Sequence, residues 1–252
     1  NSINTDLVEE AAGMSSDGNL IFIYIDNAEG FDNIFLSTKK GKSYSKSFSI
    51  SDNINTPALE VAATITNDKK TLFYSAERNE SKGGLDIYMS KRLPNGDWGA
   101  GINLGTNINT KYDENFPQLS ADGQTLYFCS QGHNSMGGFD IFKSKLNKET
   151  STWEKAVNIG YPVNTPDDNM NISFSSTGRH AFISANRKDS YGDVDIYRVI
   201  FNDVEPVYTV YKFSLLNSDS SNFFTFKKPI INDTLKSDSI KFEVVLADNV
   251  KG

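Results

Sequence analysis

Two histidines, one cysteine and a scatter of carboxylates bound the chemistry open to this 252-residue chain. His133 is of a type that can act as a general acid or base beside a carboxylate. The other histidine, His180, falls in a turn on the opposite side of the repeat read below, which disfavours a paired-histidine mechanism or metal site. Asp113-Glu114 and Asp167-Asp168-Asn169 are local clusters of oxygen ligands, but neither has the alternating spacing of a dedicated calcium loop. No G-x-S-x-G, phosphate-cradling glycine loop or Cys–His pair occurs. No catalytic residue, metal or cofactor is therefore expected. Cys129 sits where the second repeat has Ser75, which reads as a small packed thiol.

These residues are placed by a repeat. "SSDGNLIFIY…FDNIFLS" begins at Ser15, "TNDKKTLFYS…LDIYMS" at Thr66, "SADGQTLYFCS…FDIFKS" at Ser120 and "SSTGRHAFIS…VDIYRV" at Ser175. Asp32, Asp86, Asp140 and Asp195 open the recurring step into the third run, at intervals of 54, 54 and 55 residues. Short aromatic and β-branched runs at this period predict an all-β chain: a β-propeller of four-stranded antiparallel blades. Four repeats are clear, and more blades are expected in the intact ring. In the third copy, Phe116–Ser120 reads as the innermost strand and Asp122-Gly123 as the hairpin turn. Thr125–Ser130 and Phe139–Lys145 read as the next two strands, and Trp153–Asn158 as the outer one.

Crossings between blades carry their own signature: Ile54-Asn55-Thr56, Ile108-Asn109-Thr110 and Val163-Asn164-Thr165. Ile3-Asn4-Thr5 has it too, so the chain is expected to open on the end of a blade that is either cut away or completed from elsewhere in the chain. Beginning with Asn1, it reads as a processed form or a fragment. The repeats occupy residues 1–204. Residues 205–252 hold three β-like runs without the repeat step, read either as a degenerate blade or as the start of a β-sandwich module. Asp233-Thr234-Leu235 and Asp238-Ser239-Ile240 lie there and resemble weak O-glycosylation acceptors.

Net charge is −7 with no block of Lys or Arg, which argues against a nucleic-acid partner. No run approaches eighteen apolar residues, so no transmembrane segment is expected. One cysteine precludes an internal disulfide.

The blades resemble the WD-repeat-like blades of TolB-type propellers. The stretch Asn109–Lys145 resembles the propeller of Bacteroidetes envelope proteins that carry an OmpA-like peptidoglycan-binding domain, some of them in type IX secretion and gliding machinery. The resemblance covers about residues 1–204. It implies a periplasmic, outer-membrane-associated, non-enzymatic scaffold with protein partners in an envelope complex. The chain shows neither an OmpA-like segment nor a lipidated cysteine, so a peptidoglycan-binding role is not carried over. "SADGQT" is also similar to the Asp-box of sialidases, but its Gly directly follows the Asp and arginines are few.

Asp32, Asp86, Asp140 and Asp195 follow glycines and are expected to accept backbone N–H bonds as structural punctuation. Loops between strands two and three share a face with the crossings. That face gathers Arg78, Asp113, Glu114, His133, Asn134, Met136, Asp167, Asp168, Arg187 and Tyr191, which makes it the expected binding surface. An ordinary solvated face is the plain alternative. The functional expectation is a protein-interaction scaffold. The alternative is a carbohydrate-binding, glycoside hydrolase or lyase propeller, which requires a pair of carboxylates outside the repeat pattern in the central funnel.

Overall fold

The computed structural model describes residues 3–26, 33–175, 177–202 and 204. The tail expected over 205–252 lies outside them. The described residues are all-β, in four antiparallel sheets that form four successive blades of a β-propeller. Blade one holds β1 (Val8–Met14), β2 (Leu20–Asp26), β3 (Asn33–Lys40), β4 (Ser43–Tyr44) and β5 (Phe48–Ser49). Blade two holds β6 (Leu59–Ile65), β7 (Thr71–Glu77), β8 (Asp86–Lys91) and β9 (Ile102–Asn103). Blade three holds β10 (Glu114–Leu119), β11 (Thr125–Ser130), β12 (Asp140–Asn147), β13 (Thr152–Trp153) and β14 (Val157–Asn158). Blade four holds β15 (Asn169–Phe174), β16 (His180–Ala185) and β17 (Asp195–Ile200).

The hairpin between the first two strands of each blade is set by a short side-chain circuit. In blade three, Ser120 Oγ donates to Asp122 Oδ1 at 2.6 Å, and the Gln124 amide donates to the same oxygen at 3.0 Å. Gly123 then takes φ 67°, a conformation that favours glycine. Lys69 holds the matching place in blade two at φ 58°. These turns also tie neighbouring blades together. Ser16 Oγ donates to Asn67 Oδ1 at 2.5 Å, Asn67 Nδ2 donates to Ala121 O at 2.6 Å, and Lys69 pairs with Asp17 at 2.9 Å.

Strand alternation gives each blade two apolar sides, one facing the blade before it (back) and one facing the blade after it (forward). Phe22, Ile34 and Leu36 on the forward side of blade one meet Leu72, Tyr74, Ala76, Tyr88 and Trp98 on the back of blade two. Phe73, Ile87 and Met89 meet Leu126, Phe128, Phe142 and Trp153. The third interface sets Tyr127, Cys129 and Ile141 against Ala181, Ile183, Ala185 and Tyr197. Edge-to-face packing of Trp153 on Phe73, with ring centroids 5.7 Å apart, closes the outer end of the middle interface. Cys129 is buried, and burial pushes its thiol up to about 12.

Three local features differ from the sequence expectation. The innermost strand of blade three starts at Glu114, and Phe116-Pro117 forms a bulge opposite β11, with Phe116 at φ 52°. The outer strand is split: β13 pairs with the far end of β12 and β14 with its middle, because the chain steps aside between them to bond Ala156 N to Asn107 O in the preceding crossing. In blade one the register places Asn33 opposite Ile25, as Asp86 lies opposite Ala76, Asp140 opposite Ser130 and Asp195 opposite Ala185. The first repeat has one more residue between its Asp and Ser37 than the others have before their matching position, so Asn33 holds the place expected for Asp32. Asp32 itself lies outside the described residues.

Leu126 is fully buried between blades two and three. Leu126→Ala is expected to lower stability by about 2–5 kcal/mol. Urea unfolding should show this as a lower midpoint with one cooperative transition, because the interface belongs to both blades.

Candidate functional site on the loop face

The loops between strands two and three, together with the crossings, form one face, and an asparagine anchors each crossing. Asn109 Oδ1 accepts from Ile87 N at 2.8 Å, while its Nδ2 donates to Ile87 O at 2.9 Å and to Asn103 Oδ1 at 2.9 Å. Asn164 repeats this on Ile141, at 2.9 Å from its N and 2.8 Å to its O, and donates to Asn158 Oδ1 at 2.7 Å. Asn55 Nδ2 reaches Ile34 O at 2.8 Å. A primary amide offers the same acceptor and donor as a peptide group, so each Asn extends the ladder of strand three where the outer strand is only two residues long.

The outer strand contributes a second amide. Asn103 donates to Asp86 Oδ2 at 2.6 Å and Asn158 to Asp140 Oδ2 at 2.8 Å. The repeat aspartates also gather loop amides: Asp86 accepts from Lys82 N at 2.8 Å, Asp140 from Met136 N at 2.6 Å and Asp195 from Tyr191 N at 2.6 Å. The glycines before them let this loop lie against the following crossing. A Cβ at Gly83 would stand 2.3 Å from Tyr112 O, and one at Gly137 only 1.8 Å from Pro166 O.

Arg78, His133 and Arg187 share one role in successive blades. Arg78 lies over the Tyr74 and Tyr88 rings at 5.3 and 5.1 Å and donates through Nη2 to Ile54 O at 2.9 Å. His133 packs against Phe128 and Phe142 and places Nε2 2.8 Å from Ile108 O. That contact requires a proton on Nε2, and burial lowers the imidazole pKa, so the ring is read as the neutral Nε2–H tautomer. Arg187 lies 5.1 Å over Tyr197 and donates to Pro162 O at 3.0 Å and Val163 O at 2.8 Å. Each side chain holds the crossing carbonyl from inside its own blade.

Carboxylates at the blade entrances are similarly engaged. Asp113 Oδ1 accepts from Leu85 N at 2.9 Å and Asp168 Oδ1 from Phe139 N at 2.7 Å, each one bonding back to the preceding blade. Glu114 is buried; it accepts Thr110 N at 2.7 Å, Thr110 Oγ1 at 2.7 Å and Ser130 Oγ at 2.6 Å. Burial, opposed by these bonds and assisted by the Asp86 charge, pushes its carboxyl up to about 7. Glu60 holds the same place in blade two, also raised by burial, with Arg78 3.4 Å away opposing the shift. Blade four has Asn169 there, bonded to Thr165.

The structure thus brings the expected loop-face residues together but ties most of their side chains into the blades. Asp167 is exposed, and Asn134 is exposed with its carbonyl accepting from Asn158. Among the described residues no group of three or more His, Cys, Asp or Glu side chains could hold a metal ion. Left facing solvent are Tyr112, Met136, Tyr161 and Tyr191. Tyr112 and Tyr161, like the bonding roles of the asparagines, were not singled out from sequence, although the I/V-N-T triplets at the three described crossings signal the latter.

No family model and no curated protein matches the chain. Among solved structures it is similar to TolB from Acinetobacter baumannii, at 14% identity and TM-score 0.49, covering 77% of this chain and 42% of that one. It is similar to a putative TolB from Agrobacterium tumefaciens, at 15% identity and TM-score 0.42, covering 88% and 81%. An endo-arabinase from Bacteroides thetaiotaomicron is similar at 15% identity and TM-score 0.49, covering 72% and 70%. The chain therefore spans well under two thirds of the A. baumannii TolB structure. The class defined by the described residues is the β-propeller.

Two outcomes follow from these bonds. Asn164→Ala should cost about 1–3 kcal/mol by leaving the Ile141 amide without a partner, while Ile141 O keeps its bond from Ile159 N, against little change for exposed Asn134→Ala in the same denaturation assay. Glu114 holds its proton more tightly folded than unfolded. Its contribution is full below the ordinary glutamate value of 4.5 and is lost as pH rises through about 7. Glu114→Gln should flatten stability over that window in pH-resolved melting and still fold, since an amide can accept from Thr110 N and donate to the two hydroxyls.

Proposed function

We propose that the chain is a non-enzymatic propeller scaffold that binds protein partners in the bacterial cell envelope, on the periplasmic side of the outer membrane, within a secretion or gliding assembly. The observation that carries this reading is the character of the loop face. Its arginines, its histidine and most of its carboxylates are engaged inside the blades, while Tyr112, Met136, Tyr161 and Tyr191 are presented to solvent on loops and crossings. Tyrosine and methionine on a rigid frame are what protein interfaces enrich. The envelope setting rests on the sequence resemblance over residues 109–145. Glu114, whose raised pKa would suit a general acid, is covered by its own crossing and engaged by Thr110 and Ser130, which supports binding over hydrolysis.

The test is co-purification from solubilised envelopes with the wild-type chain and with a Tyr112→Ser/Met136→Ser/Tyr191→Ser variant. A stoichiometric protein partner should be retained by the wild type and lost with the variant at unchanged melting temperature. Retention by both, or turnover of a polysaccharide by the wild type, would reject the proposal.

A further inference from the structure

The forward side of blade four has the composition of an interface. Its Ile196 is 77% exposed, whereas Ile34, Ile87 and Ile141, at the same register position in blades one to three, are each 0% exposed. Phe182 is 48% exposed, against 1% for Phe22 and 3% for Phe73 at its position. Val194 and Ile200 are exposed beside them. Lone exposed hydrophobes need no explanation, but Ile196 holds a position fully buried in every preceding blade, and Phe182 holds one that is buried in blades one and two and half-buried, as Tyr127, in blade three. β17 also has no partner on its outer edge among the described residues, where β3, β8 and β12 each have one.

The occupant follows from continuity with three interfaces already present. Each time, this side is covered by the back of a blade carrying a large aliphatic or aromatic set: Leu72, Tyr74 and Tyr88, or Leu126, Phe128 and Phe142. A second copy cannot supply that side through its first blade, where back-side Ile23 and Ile25 are already buried. We propose that the forward side of blade four is a docking surface for one further blade of the same repeat type, within the same ring. This does not rest on the scaffold reading.

A thiol reporter tests it. Cys129→Ser removes the native thiol; Ser75 and Ser184 already occupy its register position. In that background Ile196→Cys should react quickly with an aromatic disulfide reagent, at a rate independent of protein concentration. Joining the chain's own third repeat (residues 111–165) after residue 252 through a glycine-serine linker should slow the reaction by at least about tenfold. An appended repeat carrying Leu126→Asp and Phe128→Asp should restore the fast rate, and Phe182→Cys should follow the same pattern as a second reporter. The proposal is overturned by a rate unchanged on adding the repeat, by equal protection from the aspartate-bearing repeat, or by slow reaction in the 252-residue chain alone. Protection that appears only at high protein concentration would assign the surface to a second copy and overturn it as well.

Discussion

An asparagine side chain is the joint on which successive blades hang. The outer strands of blades two and three are two residues long, too short to hold the chain against strand three by backbone bonds alone. Asn109 and Asn164 supply the missing rung, each bonding both the N–H and the C=O of one isoleucine. Everything downstream inherits that position. The threonine after the Asn bonds the glutamate that starts the next inner strand, and the carbonyl before it receives Arg78, His133 or Arg187 from the following blade. The crossing is therefore held by the blade it leaves and by the blade it enters.

This double hold explains how a face rich in ionisable groups can be poor in free chemistry. A propeller needs its crossings buried at their stems, and buried peptide groups need partners. Guanidinium, imidazole and carboxylate groups meet that need here, flanked by aromatic rings that remove water from around them. The raised carboxyls of Glu60 and Glu114 are a by-product of the same burial. Substituting Asn169 in blade four keeps the bonding without a charge to bury.

The repeat, the turn chemistry and the blade topology were legible in the sequence, because period and strand alternation report which side chains must be covered. The roles of Arg78, His133 and Arg187 were not. Their recurrence in the loops was visible, but recurrence does not name an acceptor, and theirs are backbone carbonyls in another blade. Asn33 shows a related limit: one additional residue in the first repeat moved the Asp off register, and only strand pairing reveals which residue takes its place. The bulge at Phe116-Pro117 escaped for a different reason. A left-handed phenylalanine is imposed by the inner strand meeting β11, and local propensity opposes it.

The turn-to-turn links running from Ser16 through Asn67 to Ala121 give the molecule two sides with different freedom to evolve. Each link depends on a hairpin of fixed length, so a residue gained or lost there would uncouple two blades at once. The opposite loops are held at their stems, by Arg78, His133 and Arg187, by the repeat aspartates and by the glycines beside Tyr112 and Pro166, while tip residues such as Asn79, Glu80 and Lys188 are exposed. New recognition can be acquired at those tips by insertion while the other side stays as it is.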